Sequence, residues 1–213
     1  MSRVQEKQED RKYSYQDYCA WDDKERWELI EGAPYNMSPA PSRFHQKISS
    51  NLHRQLANFL HDKSCEVYPA PFDVRLNAEG ADDTVVQPDL VVICDRAKLD
   101  DHGCVGVPDM VVEITSPSTA RHDRFIKFQM YRKAGVREFW IVDPETKTAQ
   151  VFILENGQYI ATMYGDTDTV PVHVLEGCEI DLQDVFADLP ITAAAAASGS
   201  YGRGPETNNE ERK

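Results

Sequence analysis

The sequence predicts an α/β fold: a mixed central sheet flanked by helices, with a β-meander added on the C-terminal side. Three observations carry that prediction. Two apolar runs, each opened by Pro-Asp, stand at Pro88-Asp89-Leu90-Val91-Val92-Ile93 and Pro108-Asp109-Met110-Val111-Val112-Glu113-Ile114-Thr115. Short, nearly continuous runs of this kind read as strands buried on both faces. An amphipathic helical spacing covers residues 42–61, and alternating segments surround Asn156-Gly157, a strong hairpin signal.

The 213 residues suffice for one domain with a proper core. We assign it to 13–190, with 1–12 read as a disordered arm and 191–213, an alanine run followed by Gly, Ser and charges, as a disordered tail. No apolar run approaches the roughly 20 residues that span a bilayer, and the charged N-terminus lacks the apolar core of a signal peptide. The five cysteines are odd in number and contain no CxxC pair. Neither a zinc ribbon nor a disulfide framework is expected from them, and a reducing cytoplasm is the expected compartment. A net charge of −13 has the wrong sign for a chain that binds nucleic acid over its whole surface. Phosphate contact is thereby restricted to a local basic face.

Taken in order, Ser14 caps a short helix through Cys19. Residues 26–31, Gly32 and residues 34–37 read as strand, turn and strand. Pro39 and Pro41 precede the long helix, in which Ile48, Leu52, Leu56, Phe59 and Leu60 recur at three- and four-residue steps. Short strands follow at 67–68 and 72–76, then a polar acidic loop at 77–84. The two Pro-Asp strands come next. After them lie a Ser-Pro-Ser-Thr turn, with Ser118 or Thr119 as N-cap, and a basic helix carrying Lys127. Glu138 to Asp143 is a third apolar strand. Strands at 148–154, 159–164 and 170–174 form the meander, and 182–186 a short closing helix.

Carboxylates inside apolar strands demand a partner, because even a neutral polar group costs on the order of 2–7 kcal/mol to bury unpaired. Pairing the two Pro-Asp strands antiparallel, symmetrically about Asp101, sets Asp89 opposite Glu113. Asp109 then lies roughly 13 Å from Glu113 along the strand and is expected to bond loop backbone instead. Asp123, Lys127 and Tyr131 share one side of the following helix, which must pack back on the sheet and can bring Lys127 over the strand ends. Two acids and a lysine there suit metal-assisted phosphodiester hydrolysis, with Asp89 and Glu113 holding Mg²⁺ and Lys127 ordering water or neutralising charge. The same residues also fit a buried ion pair with a purely structural role.

At these positions the chain resembles the Uma-type restriction endonuclease family of the PD-(D/E)XK nuclease superfamily. The resemblance runs through Trp27-Glu28-Leu29-Ile30-Glu31-Gly32, Met37 to Ser42 with His45, Gln87 to Val92, Pro108 to Thr119, Asp123, Lys127, Tyr131, Gly135-Val136 and Glu138 to Pro144. It implies a restriction-endonuclease-like core and a nuclease site dependent on Mg²⁺, or Mn²⁺, acting on DNA. Asp89 matches the superfamily's Pro-Asp and Glu113 its second acid. The usual lysine two residues further on is replaced by Thr115, and Lys127 from the next helix stands in for it. For a further acid the resemblance points to Glu31, with Glu28 in reserve, and for an auxiliary histidine to His45.

Arg43, Arg121 and Arg124 are the basic residues assigned to phosphate contact, within a wider cluster that includes Lys47, Arg132, Lys133 and Arg137. A solvated helix face is the competing reading. The apolar breadth of the basic helix, with Phe125, Ile126, Phe128 and Met130, suggests a homodimer. Against the endonuclease stands a second function: a nuclease-fold module that does not cut and serves in oligomerisation or regulation.

Overall fold

The computed structural model of the chain describes residues 11–21, 25–37, 40–116 and 122–189, the side chains of 122–124 excepted. A short helix α1 (Tyr15–Cys19) is followed by strands β1 (Trp27–Ile30) and β2 (Ala33–Asn36) and by the long helix α2 (Arg43–Leu60). Then come β3 (Glu66–Pro69), β4 (Asp73–Arg75), β5 (Val85–Val86), β6 (Leu90–Ile93), β7 (Gly103–Val105) and β8 (Met110–Ile114). Helix α3 (His122–Ala134) leads to β9 (Glu138–Asp143), β10 (Thr148–Glu155), β11 (Gln158–Tyr164), β12 (Thr169–Pro171), β13 (Glu179–Asp181) and α4 (Leu182–Val185).

The central sheet has six strands in the order β11-β10-β9-β8-β6-β3. Only β8 and β9 run parallel; α3 lies between them in sequence, as a crossover requires. The first two strands of the expected meander, β10 and β11, therefore extend the central sheet, while the third, expected at 170–174, falls at β12 and pairs with β13 instead. Leu90 pairs with Val112 and Val91 with Val111, which is the register symmetric about Asp101. A second sheet orders its five strands β2-β1-β5-β4-β7, and β12 pairs with β13. Three short strands, β5, β7 and β13, go beyond the sequence expectation. β7 falls inside what reads as the connecting loop of a hairpin and pairs parallel with β4.

Alternation along the strands divides the core in two. On one face Leu90, Val92, Met110, Val112 and Trp140 meet Ile48, Leu52 and Leu56 of α2, with Val170, Ile180 and Leu182 closing that side. On the other face Val91, Val111, Phe139 and Phe152 meet Tyr131 of α3 and Val74 and Val86 of the second sheet. Burial on both faces explains why β6 and β8 are apolar almost throughout. α2 shows the opposite pattern, with apolar residues on one stripe, and its first turn is tied by Ser42, whose hydroxyl accepts from the His45 N–H at 3.2 Å. On α3, Phe128 packs against Phe152 and Tyr159, while Phe125 stays 69% exposed. Of the four apolar residues from which the sequence suggests a homodimer, Phe125 is thus the one left largely in solvent.

One expectation about the cysteines is corrected. Cys65 and Cys94 form a disulfide. They continue the β3–β6 register, in which Glu66 pairs with Ile93, so strand pairing brings together residues 29 apart in sequence. Cys104 and Cys178 are buried free thiols, and Cys19 is an exposed one. No helix among the described residues is long and apolar enough to cross a membrane.

Candidate active site

The register that pairs Leu90 with Val112 continues one step to put Asp89 opposite Glu113. Alternation places both on the face shared by Val91 and Val111, toward α3. The link is direct: the Ile114 N–H donates to Asp89 Oδ2 at 2.7 Å. The backbone of Asp89 is fixed as well, its carbonyl accepting from the Ala70 N–H at 3.1 Å. From α2, His45 Nε2 approaches Asp89 Oδ2 to 3.2 Å.

Lys127 arrives from α3. Its Nζ donates to Glu113 Oε1 at 3.0 Å and to Glu28 Oε1 at 3.1 Å. One turn on, the Tyr131 hydroxyl donates to Glu113 Oε1 at 2.7 Å. Thus the two residues placed four apart on one helix face reach the same carboxylate; the side chain of Asp123 lies outside the described residues. Glu28 in turn accepts from the Gln87 N–H at 3.0 Å. The side chains of Glu28, Lys127 and Glu113 are only 6%, 11% and 14% exposed, so the cluster sits largely out of water.

Charge in this cluster does not balance. Glu28, Asp89 and Glu113 supply three carboxylates, and Lys127 one ammonium. Burial pushes the Glu113 carboxyl up to about 7, with Asp89 and Glu28 adding to the rise and Lys127 opposing it. Burial by itself drives the Lys127 ammonium down, but the Glu113 and Glu28 charges outweigh it and hold Lys127 above its ordinary range. At neutral pH Lys127 is therefore a cation while Glu113 sits close to gaining or losing a proton. Burial, reinforced by the Glu113 charge, keeps the Tyr131 hydroxyl protonated and a donor. For His45, burial pulls the imidazole down, and Asp89, with help from the Ile114 backbone and the Glu113 charge, outweighs it for a net rise. Its buried Nδ1 has no hydrogen-bond partner among the described residues.

The residues fit one kind of cation. Among the described residues no group of three or more His, Cys, Asp or Glu is arranged to hold a metal, so a protein-built zinc or calcium cage is not what the cluster offers. Mg²⁺ asks for less: one or two carboxylates, the rest being water and substrate phosphate. Asp89 and Glu113, hard oxygen donors opposite each other with excess negative charge around them, meet that requirement.

Other residues singled out in the sequence lie elsewhere. Glu31 is outside the cluster: it is 63% exposed at the β1–β2 turn and paired with Lys133 at 2.6 Å. Glu28, three residues earlier in β1, is the further acid that reaches Lys127. Asp109 bonds loop backbone as expected, accepting from the Cys94 N–H at 2.7 Å, and also pairs with Arg137. Arg43 is exposed and stacks over its neighbour Phe44 at 4.6 Å, and Lys47 pairs with Asp188. Arg121, Ser118, Thr119 and the side chain of Arg124 lie outside the described residues. Tyr131 and Gln87 carry site contacts that sequence spacing did not single out as functional. Glu28, like Glu113, is a carboxylate set inside a strand, but Glu31 falls in the same sequence-predicted strand, so that feature alone did not single it out.

A family model described as "Uma2: Putative restriction endonuclease" matches residues 14–183. The chain belongs to the Uma2 family. Among curated relatives, the Uma2 chain is 30% identical over 123 residues to "Uncharacterized protein slr1290" of Synechocystis, covering 56% of this chain and 62% of that protein. It is 28% identical over 122 residues to "Uncharacterized protein sll1609" of the same organism, covering 56% and 67%. The matched stretch thus spans about two thirds or less of these relatives. A crystal structure described as "a putative nuclease belonging to DUF820 from Anabaena variabilis" superposes with a TM-score of 0.66 at 18% identity. That superposition covers 82% of this chain and 98% of the other. It shows that this Uma2 chain has the same fold as that protein, a restriction-endonuclease-like one.

Proposed function

We propose that this chain is a divalent-cation-dependent endonuclease that hydrolyses DNA phosphodiester bonds. The observation that carries the reading is the position of Lys127, whose Nζ lies 3.0 Å from Glu113 across the strand pair from Asp89. A lysine in that place makes good the absence of one at Thr115.

Asp89 and Glu113 would hold Mg²⁺ or Mn²⁺, and such a cation polarises a phosphate and lowers the pKa of bound water. The protein residues do the rest. Lys127, kept charged by two acids and shielded from bulk water, stabilises negative charge building on the phosphate or orients the attacking water. Glu28 gives the lysine a second carboxylate partner and limits its swing. The Ile114 N–H and His45 keep Asp89 in place.

The reading without cleavage has its own support. The described basic residues of α3 and its end are engaged within the chain: Lys133 with Glu31, Arg137 with Asp109, and Arg132 with Gly157 and Gln158. A surface spent in this way suits a fold kept for assembly or regulation. Supercoiled plasmid incubated with Mg²⁺ or Mn²⁺ separates the two. The endonuclease nicks it, EDTA stops the reaction, and Glu113→Gln and Lys127→Met, both verified as folded, fail to cut. Cleavage by folded Glu113→Gln would remove the site from the chemistry, and no nicking by the wild type would favour the non-cutting module.

A further inference from the structure

The two strand-end acids are held in the same manner. On Glu113, Oε1 takes two donors, Lys127 Nζ at 3.0 Å and the Tyr131 hydroxyl at 2.7 Å. On Asp89, Oδ2 takes the Ile114 N–H at 2.7 Å and His45 Nε2 at 3.2 Å. Among the described residues, no hydrogen bond reaches Glu113 Oε2 or Asp89 Oδ1. Each acid therefore has one oxygen tied by the protein and one left over.

We propose that Tyr131 and His45 are positioning residues, each fixing one oxygen of a cation-binding carboxylate and leaving Glu113 Oε2 and Asp89 Oδ1 as the ligating atoms. The proposal rests on the nuclease reading of this site and specifies how the chain prepares it. A carboxylate free to rotate loses that freedom on binding a cation; one already locked by a second partner does not. Neutral donors suit the task best. The Tyr131 hydroxyl and the Ile114 N–H hold the acids without cancelling charge, so the cluster keeps its attraction for a cation, which a second lysine would spend. Tyr131 is also fully buried among Phe139 and its neighbours, so its ring is fixed before any ligand arrives.

Calorimetric titration with Mn²⁺ tests the assignment without relying on cleavage. Loss of a partner that orients a metal ligand weakens binding by about 10–100-fold. Tyr131→Phe, which removes one oxygen, and His45→Ala should each weaken Mn²⁺ binding by about that factor while remaining folded. His45→Gln, which places an amide N–H at similar reach, should restore most of the affinity. Trp140→Phe, a destabilising change in the core, should leave it unaltered and so excludes general loosening as the cause. Wild-type affinity in folded Tyr131→Phe and His45→Ala overturns the proposal and leaves the nuclease reading standing. Absence of Mn²⁺ binding by the wild type overturns both.

Discussion

Replacing Lys127 with Met removes the one ammonium that Glu113 and Glu28 share while roughly keeping the volume of the stem. Both acids are then left against each other in a space from which water is nearly excluded. Removing one partner of a buried ion pair costs about 3–5 kcal/mol, because the other charge remains uncompensated. For a domain of this size each kcal/mol moves Tm by about 2–4 °C, so the midpoint should fall by on the order of 10 °C. The loss should also depend on pH. Glu113 is already pushed up to about 7 with the lysine present, and without it the carboxyl rises further. At pH 5 Glu113 is then neutral in either protein and only Glu28 is left unpaired, so the deficit shrinks; at pH 8 it is largest. Urea unfolding followed by tryptophan fluorescence at the two pH values measures both effects, and Glu113→Gln combined with Lys127→Met should recover part of the loss. A deficit below about 1 kcal/mol, the range of an exposed pair, that is also the same at pH 5 and 8 would refute the account of a shared buried charge.

The metal-free wild type should itself lose stability as pH rises. Glu113 has a folded pKa near 7 against an ordinary 4.5. Its contribution is therefore fully present below about 4.5 and lost as pH climbs through 7, by up to about 3 kcal/mol at 1.36 kcal/mol per pH unit. Denaturation curves from pH 4.5 to 8 should show that decline, and Glu113→Gln should flatten it; a wild type more stable at pH 8 than at pH 5 would contradict the assignment. At the other end of β9, Trp140 Nε1 donates to the buried Glu138 Oε1 at 2.7 Å. Trp140→Phe leaves that oxygen without its donor, and chemical denaturation should show a loss of about 1–3 kcal/mol.

Much of this architecture was legible in the sequence because local chemistry specified it. The register about Asp101 followed from matching two apolar blocks, and the observed pairing of Leu90 with Val112 has that register. α2 announced itself through Ser42 and the stripe of Ile48, Leu52 and Leu56. Lys127 was legible because α3 must fold back on β8. Long-range pairing hid the rest. Glu28 meets Gln87 and Lys127, 59 and 99 residues away, and no periodicity within β1 distinguishes it from Glu31. The difference is backbone position: Glu28 lies inside the strand beside buried Leu29, whereas Glu31 has left it at a turn with φ 48°. The Cys65–Cys94 link was invisible for the same reason, since it exists only once β3 is registered on β6. β5 and β7, two and three residues long, carry too few residues for a period to show.

Anomalous scattering from crystals grown with Mn²⁺ bears most directly on the claim that the strand-end acids share a cation beside Lys127. One site is expected, with an oxygen of Asp89 and an oxygen of Glu113 each at roughly 2.0–2.2 Å, close to the distance expected for Mg²⁺, and Lys127 still bonded to the other Glu113 oxygen. Mn²⁺ bound at Glu31 or elsewhere, with nothing between Asp89 and Glu113, would contradict it.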